Sequence, residues 1–344
     1  MVTDIVSPAN GLPRQRGVTS FDVAAAAGVS QSTVSRALRG DPSIGAETAA
    51  RVIAAAATLD YVLSDRARDL SRGATGRIAM VVDIDNPLWS LLVGQLYHLL
   101  AGRGYHLTLV AGHADSRAVE SSVTGGGVDG VILSTVELGS TLPATLARRG
   151  VPTVLLQRYT EDNQLDSSVA DDLAGGAASA QLLVDAGHRR IGALLGPKQT
   201  STARDREAGF RGRLASLGVP LDDELVRVGA FDASHGRDGI DSLLTSRVPP
   251  PSAVFCANDT IAFGALNRAR ERGVVVPGAL AIVGFDDLEQ SAWAMVSLTT
   301  IHVPFDEMLH SAVGMLMERI GGRSGLGRRV IHPVFPMLRG THLP

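Results

Sequence analysis

The chain is short of several things at once. It has a single cysteine, Cys256, a single lysine, Lys198, and only 4% aromatic residues among 344. One thiol cannot form an intramolecular disulfide, and it suits a reducing compartment such as the cytoplasm. Cys256 lies in the apolar run Ala253 to Ala257, which reads as a buried, inert thiol rather than a nucleophile. No apolar run approaches the roughly 20 residues needed to cross a bilayer, so no membrane partner is expected. The first 17 residues hold Pro8, Gly11, Pro13, Arg14 and Arg16 but no apolar core. They do not read as a secretory leader, and a disordered lead-in is expected. The formal net charge of -3 gives no global sign of nucleic-acid binding.

Catalytic signatures are missing too. Gly125-Gly126-Gly127-Val128-Asp129-Gly130 matches the dinucleotide glycine pattern formally, but it leads into an apolar run instead of following one into a helix. Lys198 follows a proline and lacks the glycine frame of a phosphate-binding loop. No Gly-x-Ser-x-Gly elbow occurs. The nine histidines are scattered, without zinc-ligand spacing. Asp171-Asp172 and Asp286-Asp287 are sequence neighbours, which usually point apart. No enzyme activity, cofactor or metal site is expected.

What is present starts with size: at 45% hydrophobic, the chain can bury two or three domain cores. Its most informative stretch is Gly28 to Leu38. Thr19 and Asp22 carry helix-start chemistry, and Phe21, Val23, Ala24 and Ala27 give a first helix a buried side. Gly28 can adopt the left-handed conformation that ends a helix, and Ser30 can cap the next. In the second helix Val34, Ala37 and Leu38 face inward. Gln31, Ser32, Thr33, Ser35 and Arg36 remain outside, with nothing bulky among them. Helix, glycine turn and a helix with a polar face is the helix-turn-helix plan. The alternative is an ordinary helical hairpin, whose outer face should be richer in Glu and Lys. A third helix is expected over Ala46 to Leu59, with Ala49, Val52, Ile53, Ala56 and Leu59 on one side.

Asp22-Val23-Ala24, Ala27-Gly28-Val29-Ser30 and Thr33-Val34-Ser35-Arg36, followed by Thr48, Arg51-Val52 and Leu59-Asp60-Tyr61, resemble the headpiece of the LacI/GalR family of bacterial transcription regulators. Ala67-Arg68-Asp69-Leu70 resembles the family's hinge helix, and the resemblance continues almost to the C-terminus. It implies residues 1–17 as lead-in, 18–64 as a DNA-binding headpiece, 65–75 as hinge and linker, and 76–344 as an effector-binding and dimerisation domain. Lobe 1 would take about 76–169 and 301–331, and lobe 2 about 170–300 and 332–344. The resemblance places Gln31 and Ser32 at the start of the recognition helix, where the family reads base edges, and Arg36, one turn later, is suited to bidentate pairing with guanine. It places Thr19, Thr33, Ser35, Arg39 and Tyr61 at phosphates. Ala67 and Leu70 would belong to a hinge helix that folds on DNA and wedges leucines into the minor groove. A plain interdomain linker is the alternative reading of Arg66 to Ser71.

Departures accompany the match. Arg39 and Gly45 stand where Asn and Ser are usual, and Ala49 replaces a frequent Arg. From Val18 to Arg72, six arginines (Arg36, Arg39, Arg51, Arg66, Arg68, Arg72) meet six acids (Asp22, Asp41, Glu47, Asp60, Asp65, Asp69). Phosphate neutralisation dominates non-specific DNA binding, so that component is expected to be weak.

Beyond Arg77, apolar runs alternate with helical stretches. Ile78 to Val82, Leu107 to Val110, Val131 to Leu133 and Val154 to Leu156 read as buried parallel strands. So do Ile191 to Leu195, Val226 to Val228, Ala253 to Cys256 and Ala281 to Val283. Two runs of βαβ units imply two doubly wound lobes with ligand sites at the carboxyl ends of strands. The expected fold is thus a small all-α headpiece plus an α/β domain of two lobes like those of periplasmic binding proteins. The segment Asp115 to Gly127 is shorter and more glycine-rich than the family's helix there.

Candidate effector contacts fall just past strand ends: Asp85, Asn86 and Trp89, then Arg158, Arg206, Phe231, Asn258 and Asp286, with Trp293 on a later loop. Arg206 aligns with the family's effector-contacting arginine. Aromatics combined with Arg, Asn and Asp favour a polyhydroxylated ligand such as a sugar. The expectation is a cytoplasmic regulator, a repressor, acting as a homodimer on near-palindromic double-stranded DNA under control of a small-molecule effector. A solute-binding module without a DNA role is the alternative.

Overall fold

The computed structural model describes residues 18–61, 74–84, 86, 88–162 and 164–343. The expectations for the lead-in 1–17, for Ala67, Leu70 and the hinge segment around them, and for Asp85 lie outside the described residues. The chain divides into two compact units, Met1–Thr75 and Gly76–Pro344.

Three helices build the first unit: α1 (Ser20–Ala27), α2 (Gln31–Leu38) and α3 (Ala46–Thr58). At the start of α1, the Thr19 backbone N–H and hydroxyl both donate to the Asp22 carboxylate, at 2.8 and 2.7 Å. Gly28 ends the helix at φ +67, a conformation costly for any residue with a Cβ. Ser30 Oγ then accepts from the Thr33 N–H at 3.2 Å, which caps α2. Val23, Val34 and Val52 are fully buried in a small core, with Leu38, Leu59 and Tyr61 packed against it. Two expectations fail here. Phe21 is 71% exposed and Ile53 56% exposed. Side chains on a helix turn by about 100° per residue, so with Val23 and Ala27 inward Phe21 lies on the far side of α1. Ile53 likewise sits beside the stripe that runs through Val52 and Ala56.

The second unit contains two parallel sheets. The larger orders its strands β11-β5-β4-β3-β1-β2, from β1 (Arg77–Val82), β2 (His106–Ala111), β3 (Gly130–Leu133), β4 (Thr153–Leu156), β5 (Asp166–Ala170) and β11 (Arg329–His332). The smaller runs β7-β6-β8-β9, from β6 (Ile191–Leu195), β7 (Val226–Val228), β8 (Ala253–Cys256) and β9 (Ala281–Val283). Antiparallel β10 (Thr300–His302) and β12 (Phe335–Met337) form a ribbon beside the smaller sheet. Helices α4 (Leu88–Ala101), α5 (Arg117–Thr124), α6 (Leu142–Arg148) and α11 (Phe305–Ile320) accompany the larger sheet. Helices α7 (Asp172–Asp185), α8 (Ser201–Ser216), α9 (Ala233–Thr245) and α10 (Asp259–Glu271) accompany the smaller. The chain passes between lobes after β5, after β10 and after β11.

Strand β5 was not anticipated, because Asp166-Ser167-Ser168 reads as polar. The strand is nevertheless buried throughout. Asp166 accepts from Arg319 Nε at 2.8 Å and from the Arg328 N–H at 2.7 Å, and it pairs with Arg323 at 3.2 Å. Ser168 donates to the Met308 carbonyl at 2.9 Å. Asp166 and the Ser168 hydroxyl therefore have partners, which is what permits their burial. The glycine-rich segment Asp115 to Gly127 forms the two-turn α5. Its leading Asp115 accepts from the Thr141 and Leu142 N–H groups at 2.9 and 3.2 Å, which fixes the start of α6.

Candidate functional site

In the first unit the outward face of α2 carries Gln31, Ser32, Thr33, Ser35 and Arg36, partly or fully exposed. Gln31 Nε2 donates to Ser20 Oγ at 3.2 Å, and the Ser32 and Thr33 hydroxyls each lie 2.8 Å from Ser30 Oγ. Arg36 is not idle: its Nε lies 3.0 Å from Asp41 Oδ2, and its Nη2 donates to Ser43 Oγ. Hydrogen bonds from Ser43, and then from Arg36, hold the Asp41 carboxyl down at about 2. Arg39 is exposed at the end of α2, Thr19 is engaged by Asp22, and Tyr61 packs against the core. Gly45 starts α3 without a side-chain cap, as expected from its missing hydroxyl.

In the second unit, seven of the nine proposed effector contacts line one cleft: Asn86, Trp89, Arg158, Arg206, Phe231, Asn258 and Asp286. The strand ends of both lobes supply them, as the topology of parallel sheets requires. Trp293 is not among them. It lies 49% exposed beyond the short 3-10 turn Glu289–Ala292, so the later aromatic is not brought to the cleft.

Arg206 is the centre of the site. It is only 5% exposed. Its Nε donates to Asp172 Oδ1 at 2.7 Å, Nη1 donates to the Ala257 carbonyl at 2.6 Å, and Nη2 lies 3.0 Å from Asp286 Oδ1. The guanidinium carbon stands 3.8 Å from the centre of the Phe285 ring. Close helix packing makes this possible: a Cβ on Gly176 would lie 2.1 Å from the Arg206 carbonyl, and one on Gly209 2.0 Å from that of Leu173. Burial pushes Asp172 up to about 6 against the pull of Arg206, and burial raises Asp286 as well. A guanidinium has five N–H donors, so these three contacts leave two for an occupant.

Around that centre, Asn258 Oδ1 accepts from the Ile261 N–H at 2.8 Å as the cap of α10, which leaves its Nδ2 donors available. Asn86 Oδ1 accepts from the Leu88 N–H at 3.1 Å, and Trp89 Nε1 donates to the Ile84 carbonyl at 3.1 Å. Arg158 donates from Nη1 to the Val136 carbonyl at 3.4 Å. Burial lowers its pKa to about 10, countered by Glu137 and Asp83. The tip of the Phe231 ring packs against Gly196, where a Cβ would come 2.3 Å from its Cζ. Gln157 and Asp286 hold φ of +67 and +110. Such backbone strain in non-glycine residues collects at ligand sites.

Residues 21–64 match the model for bacterial regulatory proteins of the lacI family, and residues 180–341 match the periplasmic binding protein-like domain. The ribose operon repressor of Escherichia coli is 33% identical over 307 residues, covering 88% of this chain and 93% of that protein. The chain belongs to the LacI family of transcriptional regulators. It is thus a sequence-specific DNA-binding protein, and its relatives are regulators, not enzymes. Among solved structures, the lac repressor dimer bound to operator and an anti-inducer covers 96% of this chain and all of its own, at a TM-score of 0.81 and 26% identity. A complex of the transcriptional regulator CelR with cellobiose covers 94% and 99%, at 0.71 and 30%.

Within this LacI-family regulator, the sequence alone did not reveal several cleft residues. Asp172, Thr135, Glu137 and Thr202 either line the cleft or hold those that do. For Asp172 the available signal was spacing. It begins α7, where its neighbour Asp171 already serves as cap by accepting from the Ala174 N–H at 2.9 Å, so the second acid must do something else. Among the described residues, no helix is long and apolar enough to cross a membrane.

Proposed function

We propose that the protein is a cytoplasmic repressor that binds a near-palindromic operator as a homodimer and changes its grip on DNA when a sugar enters the cleft. The carrying observation is the buried Arg206, fixed between Asp172 and Asp286 with two donors to spare and Asn258 alongside. Such planar donor and acceptor groups fit vicinal hydroxyls, and Phe231 and Trp89 offer faces for the apolar side of a sugar ring. The sugar effector also agrees with the ribose repressor and with the cellobiose complex of CelR.

On the DNA side, Gln31, Ser32 and Arg36 read base edges, while Thr19, Thr33, Ser35, Arg39 and Tyr61 touch phosphates. To reach a guanine, Arg36 exchanges its Asp41 partner for the base, so the contact carries a built-in competitor. Ala67 and Leu70 act as the minor-groove element. Exposed apolar side chains on both lobes, among them Leu91 and Tyr97 on α4 and Trp293 and Met295 on the smaller lobe, support pairing with a second copy.

The test is selection of genomic DNA fragments by the purified protein at low salt, with and without added sugars. A recovered short palindrome with a flexible central step supports the reading. Fragments without sequence preference under every condition would overturn it.

A further inference from the structure

The effector cleft takes up the carboxyl ends of the strands. At the opposite end of the larger sheet, a second cavity of about 300 Å³ lies at the amino ends of the adjacent strands β11, β5 and β4. Thr153 opens β4, Leu165 immediately precedes β5, and Arg323, Ser324 and Gly325 belong to the loop from α11 into β11. The volume stands at the lower bound of small-molecule sites, and the cavity shares no lining residue with the cleft.

Its lining is divided in chemistry. Ala147, Val151, Pro152 and Leu165 are apolar, Arg319, Arg323, Gln164 and Ser324 are polar, and no carboxylate lines it. The acids are held by arginines: fully buried Asp166 pairs with Arg319 Nε at 2.8 Å and Arg323 Nη1 at 3.2 Å, and Glu318 pairs with Arg328 Nη2 at 2.8 Å. Asp162 accepts from the Gln164 N–H at 3.4 Å but does not line the cavity. Within the ion-paired cluster, three arginines against two carboxylates leave one positive charge over. Arg319 spends its Nη1 and Nη2 on the Gly325 and Leu326 carbonyls, at 2.9 and 3.1 Å, which wraps the loop around it. Among the described residues, Arg323 Nη2, the Gln164 side-chain amide and the Ser324 hydroxyl form no hydrogen bond. These donors sit beside the apolar lining, and that pairing is the mark of a site for an amphipathic anion.

We propose that this cavity is a second ligand site, separate from the effector cleft, for a small organic acid. Arg323, Gln164 and Ser324 receive the carboxylate, and Val151, Pro152 and Leu165 pack against its apolar body. One surplus charge suits a singly charged carboxylate, whereas a phosphate monoester brings about -1.5 to -2. The site does not depend on the sugar reading of the cleft. Its place in the fold ties it to the cleft all the same. Asp166, held by Arg319 and Arg323, starts β5, and just past the end of that strand at Ala170, Asp172 holds Arg206 at 2.7 Å. An acid at one end of β5 and an effector at the other thus act on the same strand.

Titration calorimetry on the full-length protein tests the site, with acetate, hexanoate, benzoate, phenylacetate and phenyl phosphate as probes. One of hexanoate, benzoate and phenylacetate is expected to bind at least tenfold more tightly than acetate, which lacks the apolar body, and than phenyl phosphate. Arg323→Gln and Ser324→Phe should each weaken that acid at least tenfold, while Phe231→Ala, in the cleft, should leave it within twofold. Arg323 also pairs with Asp166, so Ser324→Phe, at an exposed loop residue, keeps the test clear of any loss of folding. Binding by none of the acids, or binding unmoved by Ser324→Phe, overturns the site. Acid binding lost in Phe231→Ala overturns its separation from the cleft, and phenyl phosphate binding as tightly as the best acid overturns the carboxylate assignment.

Discussion

Replacing Arg206 with Met tests whether the cleft is organised around a buried charge. The substitution keeps much of the side-chain volume but removes the guanidinium from between Asp172 and Asp286, both of which are buried. Breaking a buried ion pair by deleting one partner typically costs 3–5 kcal/mol, because the remaining charge stays desolvated. Part of that cost depends on pH in a predictable direction. Asp172 titrates at about 6 in the folded protein, above the ordinary 3.8. Its tighter hold on a proton therefore favours the fold fully below pH 3.8, and this contribution is lost as pH rises through about 6. Arg206 is the strongest influence opposing burial at Asp172, so its removal raises that upper limit. At pH 5 both proteins keep Asp172 protonated and do not differ on its account. At pH 7.5 the variant must ionise Asp172 without its partner or hold a proton against the solvent, so its penalty is larger there than at pH 5.

The expected result, read from urea unfolding of the full chain, is a loss of about 3–5 kcal/mol at pH 7.5 that becomes smaller at pH 5. In thermal unfolding it amounts to a drop of roughly 10 °C at pH 7.5. Operator affinity without effector should be unchanged, since the helices of the first unit have their own core. An equal penalty at both pH values would refute the electrostatic account of the site.

Three further substitutions separate the parts. Gly196→Ala would drive a methyl to within 2.3 Å of the Phe231 ring, and effector affinity measured by calorimetry should fall at least tenfold with operator affinity unchanged. An unaltered effector affinity would remove Phe231 from the site. Trp293→Ala should leave effector affinity within twofold and instead raise the dimer dissociation constant in sedimentation. A large loss of effector affinity would return Trp293 to the cleft. Leu70→Ala should weaken operator binding at least tenfold while circular dichroism and effector binding stay the same. Wild-type operator affinity would dismiss the hinge reading.

Legibility in the sequence followed how local each signal was. Strands β6, β7, β8 and β9 match the apolar runs read from sequence, because each is a short buried run between turns. The cap at Ser30 and the left-handed Gly28 were equally local. Helix faces were less certain. A single large residue such as Phe21 can look like core, yet Val23, Ala24 and Ala27 define the buried side. Least visible were features that join distant segments. The polar β5 depends on Arg319, Arg323 and Arg328, more than 150 residues away. The Asp172–Arg206–Asp286 cluster likewise joins the start of α7, the second turn of α8 and the segment after β9, which only the fold brings together. Asn86, Arg158, Phe231 and Asn258 could be proposed because parallel sheets put their ligand sites at strand ends. Thr135 and Glu137 carry no comparable sequence mark.

The central claim is that occupancy of the cleft and operator binding are coupled through the one chain. Its most direct test is the operator dissociation constant of the wild-type protein at fixed salt, measured without effector and with it at saturation. A coupling of about 1.4 kcal/mol or more predicts at least a tenfold change, and operator DNA must change effector affinity by the same factor. Equal operator affinity in both conditions, with the effector demonstrably bound, would contradict the account.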